Sequence, residues 1–309
     1  MARPFYRALK KAYPHHSIHF LASEALSTFE DSDFCVKKRV LKQEAKRGGR
    51  RFFELASDLA SEKYEFAVSL TSSLSSSALL YAARIPIRVG FSQGGSQIFW
   101  TDSLSWKGIK SGKHKTELYL ELINFLTGKT WTLELDIDQK DSQPSKLILV
   151  APGASIGLRV WPYFKTLVRA LSSQYPDYEI RWVGGKSEAH WHQEIQEEGL
   201  RNVRDGIEKT TLSQLIEWCR RSALVIANDS GIAHLAGTLA CVPTLVLFGP
   251  GDPNYIRPLG PNVLKQTPFD VPCHPCEKAY CHKKYGYQVC LRHISIQDVL
   301  MSVREVIPS

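Results

Sequence analysis

Short apolar runs alternate with amphipathic stretches through most of this 309-residue chain. The runs at 223–227 and 242–248 are too short for helices and are rich in Val, Leu and Ile, which is typical of strands buried on both faces of a parallel sheet. An amphipathic stretch that begins near Ile232 separates them. This strand–helix–strand order predicts an α/β fold with parallel strands and right-handed crossovers.

The same alternation predicts two domains, at 1–140 and 141–309, joined by a polar, Pro-containing linker at 128–145. In the first domain we predict helices at 1–13, 51–62, 75–84 and 113–125, and strands at 17–21, 65–70 and 87–91. In the second we predict further strands at 147–150 and 179–183, and a closing helix at 294–306. Residues 91–113 are rich in Ser, Gly and aromatic side chains and are predicted to be a mobile loop.

One predicted turn has the chemistry of an anion site. Its sequence, NDSG, ends a strand and opens a helix, and Asp229 or Ser230 can cap that helix. The N–H groups of Gly231 and Ile232 have no partners inside the helix and lie at the positive end of its dipole. His234, one turn further, can add a donor. Each residue alone is more often a plain cap, a plain turn or a packed histidine, but together they predict phosphate binding at the sheet edge where open α/β sheets hold ligands.

The stretch NDSGIAHLAGTLACVPTLVLFGPGDP resembles the donor-site signature of glycosyltransferase family 9, the lipopolysaccharide heptosyltransferases. The resemblance implies a GT-B architecture, in which two Rossmann-like, doubly wound parallel-sheet domains face each other across a cleft. It also implies an inverting, metal-independent transfer of heptose from ADP-heptose to the inner core of lipopolysaccharide, with no cofactor required for catalysis. The implied acceptor is the lipid A–inner core.

Other motifs match the same family and receive their roles from it. The turn APGAS followed by LRVWP is similar to a family turn followed by Lys-Arg-Trp-Pro, which implies that Ser155 binds phosphate and that Arg159 replaces a lysine at the donor diphosphate. Glu188 matches a carboxylate that binds ribose, and Thr210 lies in the segment placed against adenine. Arg159 and His234 are the implied catalytic residues, since both would stabilise the leaving ADP. The implied donor site also includes Asp229, Ser230, Gly231 and Ile232.

The acceptor side is implied less completely. His114, with Lys113 and Glu117, matches a Lys-His-Glu helix start and is expected to position the acceptor, although a surface histidine is an equal interpretation. The family begins with a strand and a Gly-Asp turn whose Asp is thought to be the general base. In this chain the first predicted element already matches the family helix that comes after that Gly-Asp turn. We therefore expect an N-terminally truncated first domain. Either translation starts at an internal Met, which we favour because the donor motifs are intact, or the chain is a non-catalytic sugar-nucleotide-binding homologue.

Four of the seven cysteines cluster near the end of the chain with the spacing C-x2-C-x4-C-x8-C. Four thiolates could hold a structural zinc ion, or the loop could carry disulfides. The separations are tighter than in a typical zinc ribbon, and His274 and His282 leave the ligand set ambiguous. We expect reduced structural cysteines rather than a metal. The four are Cys273, Cys276, Cys281 and Cys290.

The net charge of +8 is concentrated at 37–51, where eight Lys or Arg residues face one Glu. This run is either a solvated face or a surface attracted to an anionic membrane or a phosphorylated lipid. Nucleic acid is not expected, because aromatic interleaving and recognised nucleic-acid motifs are lacking. No apolar run approaches the roughly 20 residues of a membrane span, and residues 1–13 lack the apolar stretch of a signal peptide. We therefore expect a cytoplasmic protein, peripheral at the inner face of the membrane.

Overall fold

The computed structural model describes residues 1–23, 37–41, 49–134, 145–196, 198–283 and 286–308. The chain forms two compact units, Ala2–Glu134 and Leu135–Ser309, the second of which includes Met1. The domain boundary that the sequence predicts, at 140/141, falls in a stretch outside the described residues. Within the described residues, no helix is long and apolar enough to cross a membrane.

The unit Ala2–Glu134 contains parallel strands and helices. Its strands are β1 His19–Ser23, β2 Lys37–Leu41, β3 Phe66–Ser69, β4 Ile87–Ser92 and β5 Asp102–Ser105, and its α-helices are α1 Arg3–Ala12, α2 Arg50–Ser61, α3 Leu74–Ala82 and α4 Lys115–Thr127. β1 pairs with β2, and a separate sheet has the order β3-β4-β5. A small core of this unit lies between α2 and α3, around Leu59, Leu79 and Ile85.

The prediction of a loop at 91–113 is wrong. This stretch contains β5 and two 3-10 helices, Ser96–Phe99 and Gly108–Ser111. The buried ring of Trp100 lies against β4, where a Cβ on Gly90 would come within 2.7 Å of it. The strand escaped sequence analysis because its residues, DSLS, include only one apolar side chain.

The basic run forms regular structure where the structure describes it. Lys37–Leu41 is β2, which pairs in parallel with β1, and Arg50 begins α2. Residues 42–48 lie outside the described residues. The interpretation of this run as a membrane-attracted or solvated surface stays a prediction.

The unit Leu135–Ser309 is built on one parallel sheet. Its strands are β6 Ser145–Ala151, β7 Glu179–Trp182, β8 Val203–Asp205, β9 Ser222–Asn228, β10 Thr244–Leu247 and β11 Val263–Gln266. Its α-helices are α5 Phe164–Gln174, α6 Ala189–Gln196, α7 Leu212–Arg221, α8 Gly231–His234, α9 Pro253–Ile256, α10 Val289–Arg292 and α11 Ile296–Val306. The strand order is β11-β10-β9-β6-β7-β8. β8 and β11 were missed from the sequence because they are short and partly polar.

The strand order places a topological switch at β6 and β9. The chain runs outward from β6 through β7 and β8, then returns to add β9 on the other side of β6. Ala151 and Ala227 are partners at the carboxyl ends of these two strands. Crevices in open α/β sheets form where the strand order reverses in this way. The fold therefore directs attention to the turns that follow β6 and β9.

The core of this unit explains the continuous apolar runs. Buried side chains of β6, β9 and β10 pack against α5 and α11, so the central strands are covered by helices. Trp161 is fully buried, and its indole N–H donates to the backbone oxygen of Ile294 at 3.0 Å. This tryptophan fixes the segment between β6 and α5 on the core.

The helix after β9 is irregular and makes a close backbone contact. α8 continues directly as a π-helix, Leu235–Ala240, which ends at Cys241 in the left-handed conformation. A Cβ placed on Gly260 would lie 1.6 Å from the backbone oxygen of Gly237. Any side chain at Gly260 must therefore push the two segments apart.

The cysteine segment, which contains Cys273, Cys276 and Cys281, packs on the turn that follows β10. The N–H groups of Cys276 and Glu277 both donate to Pro250 O, at 3.0 and 2.8 Å. The described cysteines are free thiols, and Cys290 is buried in the core. In the described ranges, no three His, Cys, Asp or Glu side chains are arranged to hold a metal ion. The possible structural zinc stays a prediction.

Gly260→Ala should destabilise the protein by at least about 2 kcal/mol, because the new methyl group meets backbone rather than a movable side chain. Gly157→Ala is the matched control, since a Cβ there meets nothing within 4 Å. Urea unfolding measures both variants. Equal stability of Gly260→Ala and the wild type would contradict the close approach at Gly237.

Cys219 and Cys290 should resist alkylation in the folded protein. Burial raises the pKa of the Cys219 thiol to about 12 and also raises the pKa of Cys290. A raised pKa leaves less thiolate at neutral pH, so we expect both to react at least about tenfold more slowly with iodoacetamide than the partly exposed Cys273 and Cys281. Mass spectrometry of the labelled chain gives the rates.

Two results would contradict this account of the cysteines. Fast native labelling of Cys290 would contradict its packing in the core. Zinc at about one equivalent per chain in the purified protein would contradict the expectation that these cysteines hold no metal.

Candidate functional site

The turns after β6 and β9 bring together an arginine and an aspartate. β6 is followed by a turn at 152–155 and by the 3-10 helix Gly157–Arg159, whereas β9 leads through Asp229 into α8. Arg159 Nη1 lies 2.7 Å from Asp229 Oδ2. The guanidinium that the family resemblance places at the diphosphate is thus held next to the start of α8.

This ion pair is largely removed from water. The exposed fraction is 18% for the Arg159 side chain and 6% for the Asp229 side chain. Burial of two charges is tolerable only when they are paired closely, as they are here. Arg159 Nε is buried and makes no hydrogen bond to any residue that the structure describes. A second carboxylate oxygen, Glu277 Oε2, lies 3.9 Å from Arg159 Nη2.

The side chain of Asn228 connects the turns after β6 and β9. Its side chain is fully buried, its Nδ2 donates to Pro152 O at 2.6 Å, and its Oδ1 accepts from the N–H of Trp161 at 3.0 Å. One amide therefore fixes the segment on both sides of Arg159. Sequence analysis did not single out Asn228; an amide side chain directly at the end of an apolar strand was the available signal.

The turn that the sequence predicts to bind an anion opens α8. Ser230 is the N-cap residue in extended conformation, and its side chain makes no capping bond. The first bond of the helix runs from His234 N to Ser230 O at 3.4 Å, so the N–H groups of Gly231 and Ile232 precede it. Gly231 is exposed, and a Cβ on it would meet nothing within 4 Å. His234 lies in the same turn and is partly buried.

Glu188 lies against the turn after β6. A Cβ on Gly153 would come within 2.7 Å of the Glu188 carboxyl carbon. The carboxylate accepts from the N–H of Gly185 at 2.7 Å and from Ser187 Oγ at 2.6 Å. The predicted ribose-binding residue is thus brought to the same edge of the sheet as Arg159.

Ser155 and Thr210 belong to turns on that edge. Ser155 is exposed in the turn after β6, and Thr210 is partly buried in the turn after β8, one residue before the N-cap of α7. The turns after β7 and β8 are tied by a bond from Glu208 N to Gly184 O at 3.0 Å. Neither residue has a contact here that assigns it a role, so both roles stay predictions.

His114 lies in the other unit, where it caps α4. Its Nδ1 accepts from the N–H of Thr116 at 3.2 Å, and Glu117 accepts from the N–H of His114 at 2.7 Å. The imidazole is mostly buried rather than a surface histidine. This capping box accounts for the His and the Glu of the Lys-His-Glu pattern through helix formation. A role in binding the acceptor stays a prediction.

Several of the residues predicted to bind the donor lie together around the start of α8. The first backbone amides of this helix, a guanidinium and an imidazole lie there, and amides at a helix start attract phosphate groups. The two carboxylates beside Arg159 offset part of this positive charge. Binding of phosphate by this group of residues stays a prediction.

Comparison with known proteins agrees with the motifs. The family described as glycosyltransferase family 9 (heptosyltransferase) matches residues 52–285. Lipooligosaccharide heptosyltransferase 2 of Campylobacter jejuni is 27% identical over 169 residues, which cover 52% of this chain and 51% of that protein. Lipopolysaccharide heptosyltransferase 2 of Salmonella typhimurium is 23% identical over 291 residues, 84% of this chain and 81% of that protein.

The fold agrees as well. The solved structure of Escherichia coli ADP-heptose lipopolysaccharide heptosyltransferase II superposes with a TM-score of 0.72 at 20% identity, covering 99% of this chain and 93% of that one. This likeness confirms the α/β fold with parallel sheets that the GT-B heptosyltransferases share. The chain spans about half the length of the Campylobacter relative that it matches. Because the family match covers well over half of its residues, the chain belongs to glycosyltransferase family 9, the heptosyltransferases.

Proposed function

We propose that this chain is an inverting glycosyltransferase that transfers heptose from ADP-heptose to the lipid A–inner core of lipopolysaccharide, without a metal in catalysis. The observation that supports this most is the Arg159–Asp229 pair at the opening of α8, where a diphosphate can bind both backbone amides and the guanidinium. The family membership and the heptosyltransferase names of the relatives support the choice of sugar.

In this proposal the nucleoside lies along the carboxyl ends of β6, β7 and β8. Glu188 accepts hydrogen bonds from the ribose hydroxyls, and its place against Gly153 keeps the ribose close to the phosphate turn. The adenine lies against the backbone at Thr210. Ser155, exposed in the turn after β6, donates to a phosphate oxygen.

The chemical step is a displacement at the anomeric carbon of the heptose. An acceptor hydroxyl oxygen forms the new bond, its proton passes to a general base, and ADP leaves with the electron pair of the broken bond. Negative charge therefore grows on the leaving phosphate oxygen in the transition state. The amides of Gly231 and Ile232, with Arg159 and His234, stabilise that charge from fixed positions. These groups supply the positive field that a divalent cation supplies in other transferases.

We place the reaction at the inner face of the cytoplasmic membrane. The acceptor is a phosphorylated lipid, and the net charge of +8 favours an anionic surface over a neutral one. The basic run at 37–51 and the capping histidine His114 belong to the unit that we assign to the acceptor.

The function is tested by incubating the chain with ADP-heptose and a lipid A–inner core acceptor that lacks the heptose. We expect release of ADP and a matching gain of one heptose in the acceptor by mass spectrometry, with the activity retained in EDTA. ADP at 100 times its Kd should also stabilise the fold by about 2.7 kcal/mol. Binding of ADP without transfer would instead identify the chain as a non-catalytic homologue. If ADP does not stabilise the fold, the proposed donor site is wrong.

Arg159→Lys should weaken ADP binding by about tenfold or more. Lysine keeps the charge next to Asp229 but cannot donate two parallel bonds to a diphosphate, and a charged hydrogen bond is worth about 1.5–3 kcal/mol. Arg169→Lys is the matched control, because Arg169 pairs with Glu198 at the surface with 46% of its side chain exposed. Calorimetric titration with ADP measures both variants. Unchanged affinity in Arg159→Lys would contradict the role of the guanidinium.

A further inference from the structure

We propose that Glu277 is a positioning residue for Arg159 which lowers the affinity of the site for a diphosphate. Glu277 and Asp229 both contact the guanidinium of Arg159, and Glu277 must lose its contact when phosphate oxygens bind there. The inference rests on the proposed function, since it concerns the same arginine. It assigns a task to the cysteine segment, which neither the motifs nor the family comparison explain.

The two oxygens of the Glu277 carboxylate have different partners. Oε1 accepts from the N–H of Asp252 at 2.5 Å, which anchors the carboxylate on the turn after β10. Oε2 lies 3.9 Å from Arg159 Nη2. One oxygen therefore holds the group in place, and the other directs its charge at the arginine.

The backbone keeps this carboxylate where it is. Glu277 has a φ of +52°, in the left-handed region that a side chain of this kind rarely adopts. Two N–H groups, those of Cys276 and Glu277, converge on Pro250 O and hold that conformation. The side chain is 23% exposed, so its position is set by the fold rather than by a freely moving surface side chain.

The distances show which carboxylate gives way to a ligand. Asp229 Oδ2 forms the closer ion pair, 2.7 Å from Arg159 Nη1, and the Asp229 side chain is almost completely buried. The separation of 3.9 Å to Glu277 is beyond a hydrogen bond, so this contact is electrostatic only. A diphosphate that binds the Nη2 side of the guanidinium displaces the Glu277 contact first and leaves Asp229 in place.

The charge of Glu277 also opposes that of the ligand. Like charges a few ångströms apart at a partly exposed site repel by roughly 1 kcal/mol, which is about a fivefold change in affinity. The charge of Glu277 also acts on Tyr255. Burial is the larger cause and the charge of Glu277 the smaller one, and together they raise the pKa of Tyr255 to about 12. A modest repulsion of this kind favours release of the nucleotide product.

Glu277→Gln separates the charge from the anchor. Glutamine keeps an oxygen that can accept from the N–H of Asp252 but removes the negative charge, whereas Glu277→Ala removes both. We expect Glu277→Gln to bind ADP about three- to tenfold more tightly than the wild type, and to bind inorganic pyrophosphate more tightly by a similar factor. Titration calorimetry on the full chain measures each Kd, and thermal unfolding checks that the variants fold.

Glu198→Gln is the control for the loss of one negative charge elsewhere. Glu198 pairs with Arg169 through a bond of 2.7 Å to Nε at the surface of the same unit, so ADP affinity should change by less than about twofold.

The outcomes separate this inference from the proposed function. An unchanged or weaker affinity of Glu277→Gln for both ligands would overturn the inference and reduce Glu277 to an anchor of the turn. Tighter pyrophosphate binding without any ADP binding would support the inference and would rule out an ADP-linked donor. Failure of every variant to bind either ligand would overturn both.

Discussion

Arg159 and Asp229 meet at 2.7 Å in a place that water hardly reaches, and the proposed donor site is arranged around this pair. Neither charge could be buried alone, since an unpaired buried ion costs several kcal/mol. The pair therefore requires that the turns after β6 and β9 keep a fixed position relative to each other. Asn228 meets that requirement with two bonds from one fully buried amide. The switch of strand order between β6 and β9 puts both turns at one edge of the sheet in the first place.

The balance of charge at this edge suggests how one site can both bind and release a nucleotide. In the proposed function, the amides of Gly231 and Ile232 and the guanidinium attract phosphate, while Asp229 and Glu277 occupy part of the guanidinium. Strong attraction alone would hold the product as well as the donor. A second, looser carboxylate reduces that attraction without disturbing the buried pair, because it reaches the arginine from a separate segment of the chain.

Local signals in the sequence predicted most of the central sheet and the placement of the α8 turn. Apolar runs identified β6, β7, β9 and β10, and the NDSG turn located the helix start, because burial on both faces and capping are properties of neighbouring residues. β5 has a single apolar residue, and Glu277 acts through a fold-dependent contact with Arg159, so neither had a local signal. The resemblance to family 9 placed Arg159, but its pairing with Asp229 depends on tertiary structure. His114 caps α4, a local role that the Lys-His-Glu pattern alone did not indicate, and its implied role at the acceptor stays a prediction.

The central claim is that a nucleotide diphosphate binds the first amides of α8 beside Arg159. Amide nitrogen–proton spectra of the labelled protein, recorded during a titration with ADP, test it most directly, because each amide reports its own hydrogen bond. The account predicts large, saturable shifts of the Gly231 and Ile232 resonances, together with that of the Arg159 side-chain Nε–H. Saturating ADP binding that leaves these three resonances unmoved and shifts others instead would contradict it.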